Sequence, residues 1–153
     1  DIFASYTFSG ETTALAAAKA TLEVLETTAA LPTLWQHGQR LGDGLRQLFS
    51  TYDLPATLWG TLPRLQVRWS HVPGLPPPEE LRTFWLAQHA MRGVLHGIGV
   101  IFPQTCWTEK ETDLLLQVAE ETCVAMHAAL QRKELRFREL LGCPVITDVL
   151  GVR

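Results

Sequence analysis

The stretch TEKETDLLLQVAEETCVAMHAALQR, residues 108–132, constrains this chain most. Leu115, Val118, Thr122, Met126 and Leu130 fall at offsets of three and four, which marks one apolar face of a long helix. Thr108 and Glu111 stand where a capping box needs them, and Glu109 and Asp113 suit the positive end of a helix dipole. A helix of this length, polar on one side, requires a packed partner for the other.

That partner includes strands. From Arg64 to Trp69 the alternation is clean: Leu65, Val67 and Trp69 face one way, and Arg64, Gln66 and Arg68 the other. β structure is expected over residues 57–70, interrupted at Pro63, and two short strands are expected around Gly97 within GVLHGIGVIF. Three more helices are expected. The first runs from Ser9 to Thr28, with Leu15, Ala18, Leu22 and Leu25 on its apolar face and Ser9 as its N-cap. The second covers Pro32 to Tyr52, with Leu34, Leu41, Leu45, Leu48 and Tyr52 as its stripe and Trp35 and Phe49 at its edges. Gly38, Gly42 and Gly44 weaken it intrinsically, so packing must hold it. The third spans Pro78 to Arg92, with Leu81, Phe84, Trp85, Gln88 and Met91 on or near one side. The long helix is expected to continue as far as Leu141 and stop at Gly142 and Pro144. These elements make an α+β domain: long N-terminal helices, then a small antiparallel sheet with helices packed on it.

Composition narrows the function classes. A net charge of -3 with no basic stripe argues against nucleic acid as a partner. No apolar run approaches the roughly 20 residues of a membrane span. Cys106, Cys123 and Cys143 lack CxxC spacing and read as free thiols, which suggests a reducing, cytoplasmic setting. His89 and His96 flank a turn but have no Cys or carboxylate at metal-ligand spacing, so no metal is expected. Cys106 sits beside Trp107 with no identifiable base and reads as a packed thiol. QRKELRFRE reads as a solvated helix face, and Pro76 to Pro78 as a rigid connector.

The chain opens with a hydroxyl- and glycine-rich cluster running into an alanine-rich helix. Unpaired N–H groups at such an end make an anion site, and the same residues also serve as ordinary caps. At YTFSGETTALAAA, residues 6–18, the sequence resembles the class III, fold type I aminotransferases that use pyridoxal phosphate, and among them the glutamate-1-semialdehyde aminomutase-like members. Thr7, Phe8, Ser9 and Gly10 match the family motif. Tyr6 replaces its usual glycine, and Glu11-Thr12 replaces its Asn-Pro. The similarity extends at pattern level from Phe3 to Arg132.

The resemblance implies that Thr7 binds the cofactor phosphate across a homodimer interface, with Ser9 and Gly10 offering a further hydroxyl and an unhindered amide. It implies residues 1–30 as phosphate motif and linking helix, 31–132 as the C-terminal small domain, and 133–153 as an extension. It also implies that the Schiff-base lysine and the large domain lie upstream of Asp1. Lys19, Lys110 and Lys133 have no strand-and-loop context, so no residue of this chain is expected to be catalytic. The partners would be that large domain and a second subunit, with an amino donor and a carbonyl substrate in the intact enzyme. The competing expectation is a stand-alone helical interaction module without catalysis.

Overall fold

A computed structural model describes residues 10–97, 99–132 and 137–147. Its elements are α1 (Thr12–Thr27), α2 (Ala30–Thr51), β1 (Ala56–Thr61), β2 (Arg64–Trp69), α3 (Pro78–Met91), β3 (Val100–Ile101), α4 (Glu109–Gln131) and a 3₁₀ turn, Phe137–Leu140. The chain divides into two compact units, Asp1–Thr33 and Leu34–Arg153. The expected α+β class is the observed one.

In the second unit the three strands are antiparallel in the order β1-β2-β3. The alternation in β2 does what alternation predicts: Leu65 and Val67 are buried while Arg64 and Arg68 are exposed. Ile101, opposite Leu65, completes the inner face. Against it pack Leu41, Leu45 and Phe49 of α2, Leu81, Phe84 and Trp85 of α3, and Leu115, Ala119, Cys123 and Met126 of α4. Helices therefore cover one face of the sheet.

Polar links fix how the helices meet. His37 Nδ1 and Thr112 Oγ1, both buried, lie 3.1 Å apart between α2 and α4. Arg40 bonds Glu109 and Asp113 across the same pair. Arg92, just beyond α3, reaches Glu121 of α4 at 2.8 Å. Gly38 shows why α2 tolerates its glycines: a Cβ there would stand 2.1 Å from the Leu62 carbonyl oxygen. Only a residue without a side chain lets α2 approach the β1–β2 turn that closely.

Several expectations need correcting. α2 starts at Ala30, so Pro32 is its third residue; a proline fits anywhere in the first turn, where the N–H has no intrahelical acceptor. Phe49 is a core residue and no edge residue, wedged between Trp69 and Trp85 at centroid distances of 6.1 and 5.6 Å. Met91 is exposed, because α3 ends there and turns away at Gly93. Of the two strands expected around Gly97, β3 is the one seen among the described residues; before it there is one bridge, Gly97 to Val100. α4 stops at Gln131, capped at Arg132, short of Leu141. Phe137 then leaves the solvated face predicted for it and packs 5.2 Å from Phe84.

Candidate functional site

The two helix N-termini with sequence signals differ in what fills them. At α4 the box closes on itself. The Lys110 N–H donates to Thr108 Oγ1 at 3.2 Å, and the Thr108 N–H donates to the Glu111 carboxylate at 2.6 Å. The Thr108 hydroxyl, which also donates to Glu111 at 2.7 Å, and then the Thr108 N–H hold the Glu111 carboxyl below its usual range. No ligand is needed at such an end.

α1 starts differently. Its N-cap is Glu11, in an extended conformation with φ −68° and ψ 116°, and its side chain makes no capping bond. The first intrahelical acceptor is the Glu11 carbonyl, bonded by Leu15 N at 3.1 Å. The earlier amides of the turn have no acceptor within the helix. Gly10 lies exposed in the preceding turn, and a Cβ on it would meet nothing within 4 Å. The expected N-cap, Ser9, is displaced by two residues because the helix begins at Thr12. Of the predicted cofactor contacts, the structure places Gly10; Thr7 and Ser9 lie outside the described residues. An anion fits this end on donor chemistry and space, while the Glu11 carboxylate beside it opposes a phosphate.

Of the three lysines, Lys133 lies outside the described residues. Lys19 is exposed and lies 3.8 Å from Glu23 one turn on, and Lys110 sits in the first turn of α4. A cavity of 780 Å³ borders His127, Arg132 and Arg138.

The histidines were expected to bind no metal, and no cluster of three or more His, Cys, Asp or Glu side chains suited to one occurs among the described residues. What sequence reasoning missed is that His89 is fully buried and His96 half-buried. Phe49, Trp85, His89 and His96 form a chain of ring contacts, with His89 4.1 Å from Trp85 and 4.8 Å from His96. His89 Nδ1 lies 2.9 Å from the Trp85 carbonyl, which only accepts, so that nitrogen carries the hydrogen. Burial, then the neighbouring His96, pushes the His89 pKa down to about 4. Burial also lowers His96. The signal was available as offset: His89 follows Trp85 by four residues on α3.

Burial, then Glu120, pushes the Cys123 thiol up to about 12. Cys106, expected to be a packed thiol, is instead exposed, with its Sγ 3.6 Å from Gln104 Oε1. Among the described residues, α1 begins without a side-chain cap, as does α3, whose N-cap is Pro77.

No family model matches the chain. No curated protein matches it either. Among solved structures, the fold is similar to that of the FumI protein of Sphingopyxis sp. MTA144, determined in its PLP internal aldimine form, with a TM-score of 0.68 and 22% identity. The similarity takes in 92% of this chain and 33% of that one, so the chain spans about a third of the length of the protein it resembles in fold.

Proposed function

We propose that this chain is the C-terminal part of a pyridoxal phosphate-dependent enzyme, a class III aminotransferase or aminomutase of the glutamate-1-semialdehyde aminomutase-like kind. The observation that carries the reading is the fold likeness over nearly the whole chain to one third of a PLP-bound protein. The motif at Thr7 to Gly10 and the uncapped start of α1 support it. Residues 1–30 then serve as phosphate motif and linking helix, 31–132 as small domain and 133–153 as an extension. The cofactor supplies an electron sink for chemistry at an amine-bearing carbon. The Thr7 and Ser9 hydroxyls and the Gly10 amide of one subunit orient its phosphate in the neighbouring subunit's site. The lysine that anchors the cofactor belongs to the large domain, and the enzyme is a cytoplasmic homodimer acting on an amino donor and a carbonyl substrate.

The test compares the chain with the complete polypeptide. Borohydride trapping after PLP addition should label a lysine outside residues 1–153 in the complete protein and none stoichiometrically in this chain. Thr7→Val should weaken cofactor retention roughly ten- to a hundred-fold, the equivalent of about 1.5–3 kcal/mol for a hydrogen bond to a charged group. Stoichiometric trapping on Lys19 would overturn the reading.

A further inference from the structure

His89 and His96 join two parts of the fold that the proposed function leaves unused. His89 belongs to the last turn of α3, and His96 to the residues that lead from Gly93 toward β3. His89 is sealed from solvent. His96 is half-buried and borders a cavity of 300 Å³ with Leu86 and Ala90 of α3, Cys143 and Ile146. The Nε2 of each ring is buried and has no hydrogen-bond partner among the described residues. Since His89 Nδ1 already carries a hydrogen, a second proton must go to that Nε2. An imidazolium holds an N–H on both nitrogens, so at either ring the charged form leaves a buried donor unpaired. The neighbouring groups give no relief. Arg92, on the same helix end as His89, is itself a cation, held by Gln88 and by Glu121 of α4. The Glu121 carboxylate is taken up by Arg92 and Gln117. From α4 the neutral Thr122 hydroxyl faces His89 at 3.4 Å, and beyond the 3₁₀ turn the Cys143 thiol shares the cavity of His96. With ring centres 4.8 Å apart, one charged imidazole disfavours the other.

We propose that the two rings form an acid-released latch: protonation expels His96 from its seat and frees the residues between α3 and β3, while the helices stay packed. Three features select His96 as the moving part. Its ring is half-buried and has a short path to water, whereas His89 reaches water only if α3 leaves. Its segment is flanked by Gly93 and Gly99, whose φ angles of 82° and 80° mark the backbone positions where the chain turns. Its fastenings are few. The Val94 N–H donates to the His89 carbonyl at 2.9 Å, the Val100 N–H to the Gly97 carbonyl at 2.7 Å and the Val67 N–H to the Gly99 carbonyl at 3.1 Å, and β3 has two residues. Burial lowers the proton affinity of both imidazoles while the latch is closed, and release restores it. Opening therefore takes up protons, and it becomes easier as the pH falls below about 6.5. The latch is closed near neutrality and does not depend on the function proposed above.

The experiment is hydrogen exchange with mass-spectrometric readout from about pH 7 to about pH 5, each rate corrected for the intrinsic pH dependence of amide exchange. Peptides covering residues 93–101 should lose protection as the pH falls, approaching about tenfold per pH unit for each histidine released. Peptides from residues 115–126 of α4 should stay far better protected at every pH, because they exchange only when the whole unit opens. His96→Phe keeps a ring in the seat and removes the group that gains a proton on leaving; it should reduce the slope at 93–101. His89→Leu/His96→Phe should abolish it. Far-UV circular dichroism verifies that each variant folds, and the titration of the unaltered protein decides the matter should a variant fail to. Three results would overturn the latch. The first is protection at 93–101 that does not change with pH. The second is loss of protection at 93–101 at the same rate as in α4, which would mean that acid acts only through global unfolding. The third is an unchanged slope in a folded double variant, which would assign the proton uptake to other groups.

Discussion

α1 and α4 both repeat apolar residues at helical spacing, yet α4 buries seven residues and α1 buries none among those described. In α1, Leu15, Leu22 and Val24 are more than half exposed. In α4, Ala119, Thr122, Cys123 and Met126 are sealed from solvent. Periodicity states which face of a helix is apolar, and it is silent on what covers that face. For α4 the cover includes α3 and the 3₁₀ turn of its own unit. For α1, in the proposed enzyme, it is the large domain and the second subunit.

Truncating one apolar side chain in each helix should separate them by the widest margin. Met126→Ala should cost about 2–5 kcal/mol in urea unfolding, the usual range for a fully buried large-to-small change. Leu22→Ala should stay within about 0.5 kcal/mol in this chain, as exposed substitutions do. Equal losses would mean that α1 is covered in solution. In the complete enzyme the same Leu22→Ala change should become costly.

Acid should act on the contact between α3 and α4. An unfolded histidine takes a proton near pH 6.5, whereas His89 in the fold stays neutral until about pH 4. Between those values the unfolded state holds the extra proton, so stability falls as pH falls. The loss from this group approaches about 3 kcal/mol at the lower end, at about 1.4 kcal/mol per pH unit. His96 and Glu111, both shifted down, act in the same direction. Arg92 faces His89 and is held by Glu121, whose carboxyl is itself kept low by Gln117 and Arg92. His89→Leu should flatten the profile between pH 6.5 and 4. A flat profile for the unaltered chain would mean that His89 is charged in the fold.

Gly38→Ala tests how the same unit closes. A Cβ there meets the Leu62 backbone and cannot be relieved by rotating a side chain. A loss of about 1–3 kcal/mol is expected, the usual cost of overpacking. The cost of Gly10→Ala should be far smaller, since the space beside Gly10 is open.

What could be read from the sequence follows from how local each signal is. The capping box at Thr108 and the alternation in Arg64 to Trp69 are complete within a few residues, and both formed as expected. The end of α4 was not legible. Residues 131–141 keep helical composition, but Phe137 gains more by packing on Phe84 than by prolonging the helix, and that partner lies 53 residues away. Gly38 was legible as a weakness and not as a contact, because Leu62 belongs to another element. The open start of α1 was legible as a cluster of hydroxyls, whereas the residue that became the cap was Glu11.

Exchanging the caps gives the smallest effects and the sharpest reading of the two N-termini. Thr108→Ala should cost about 1 kcal/mol, within the usual 0.5–2 for losing a cap, because the Lys110 amide loses its acceptor and the Glu111 carboxylate loses the Thr108 hydroxyl while keeping the Thr108 N–H. Glu11→Ser does the reverse at α1: it installs a hydroxyl that can accept from the first turn and removes a carboxylate. The gain should be under about 1 kcal/mol and local, seen as slower hydrogen exchange at Thr13 and Ala14 with the global transition unmoved. The outcome bears directly on the phosphate reading. If first-turn amides in the unaltered chain already exchange as slowly as in the Ser variant, they have a partner of their own and are closed to an anion. If they exchange fast and the Ser variant slows them, the donors are free in this chain. In the complete enzyme, the same substitution should then set a neutral hydroxyl to compete with the phosphate for those donors while relieving the Glu11 repulsion. Its effect on cofactor retention should therefore be smaller than that of Thr7→Val, which removes a donor and returns nothing.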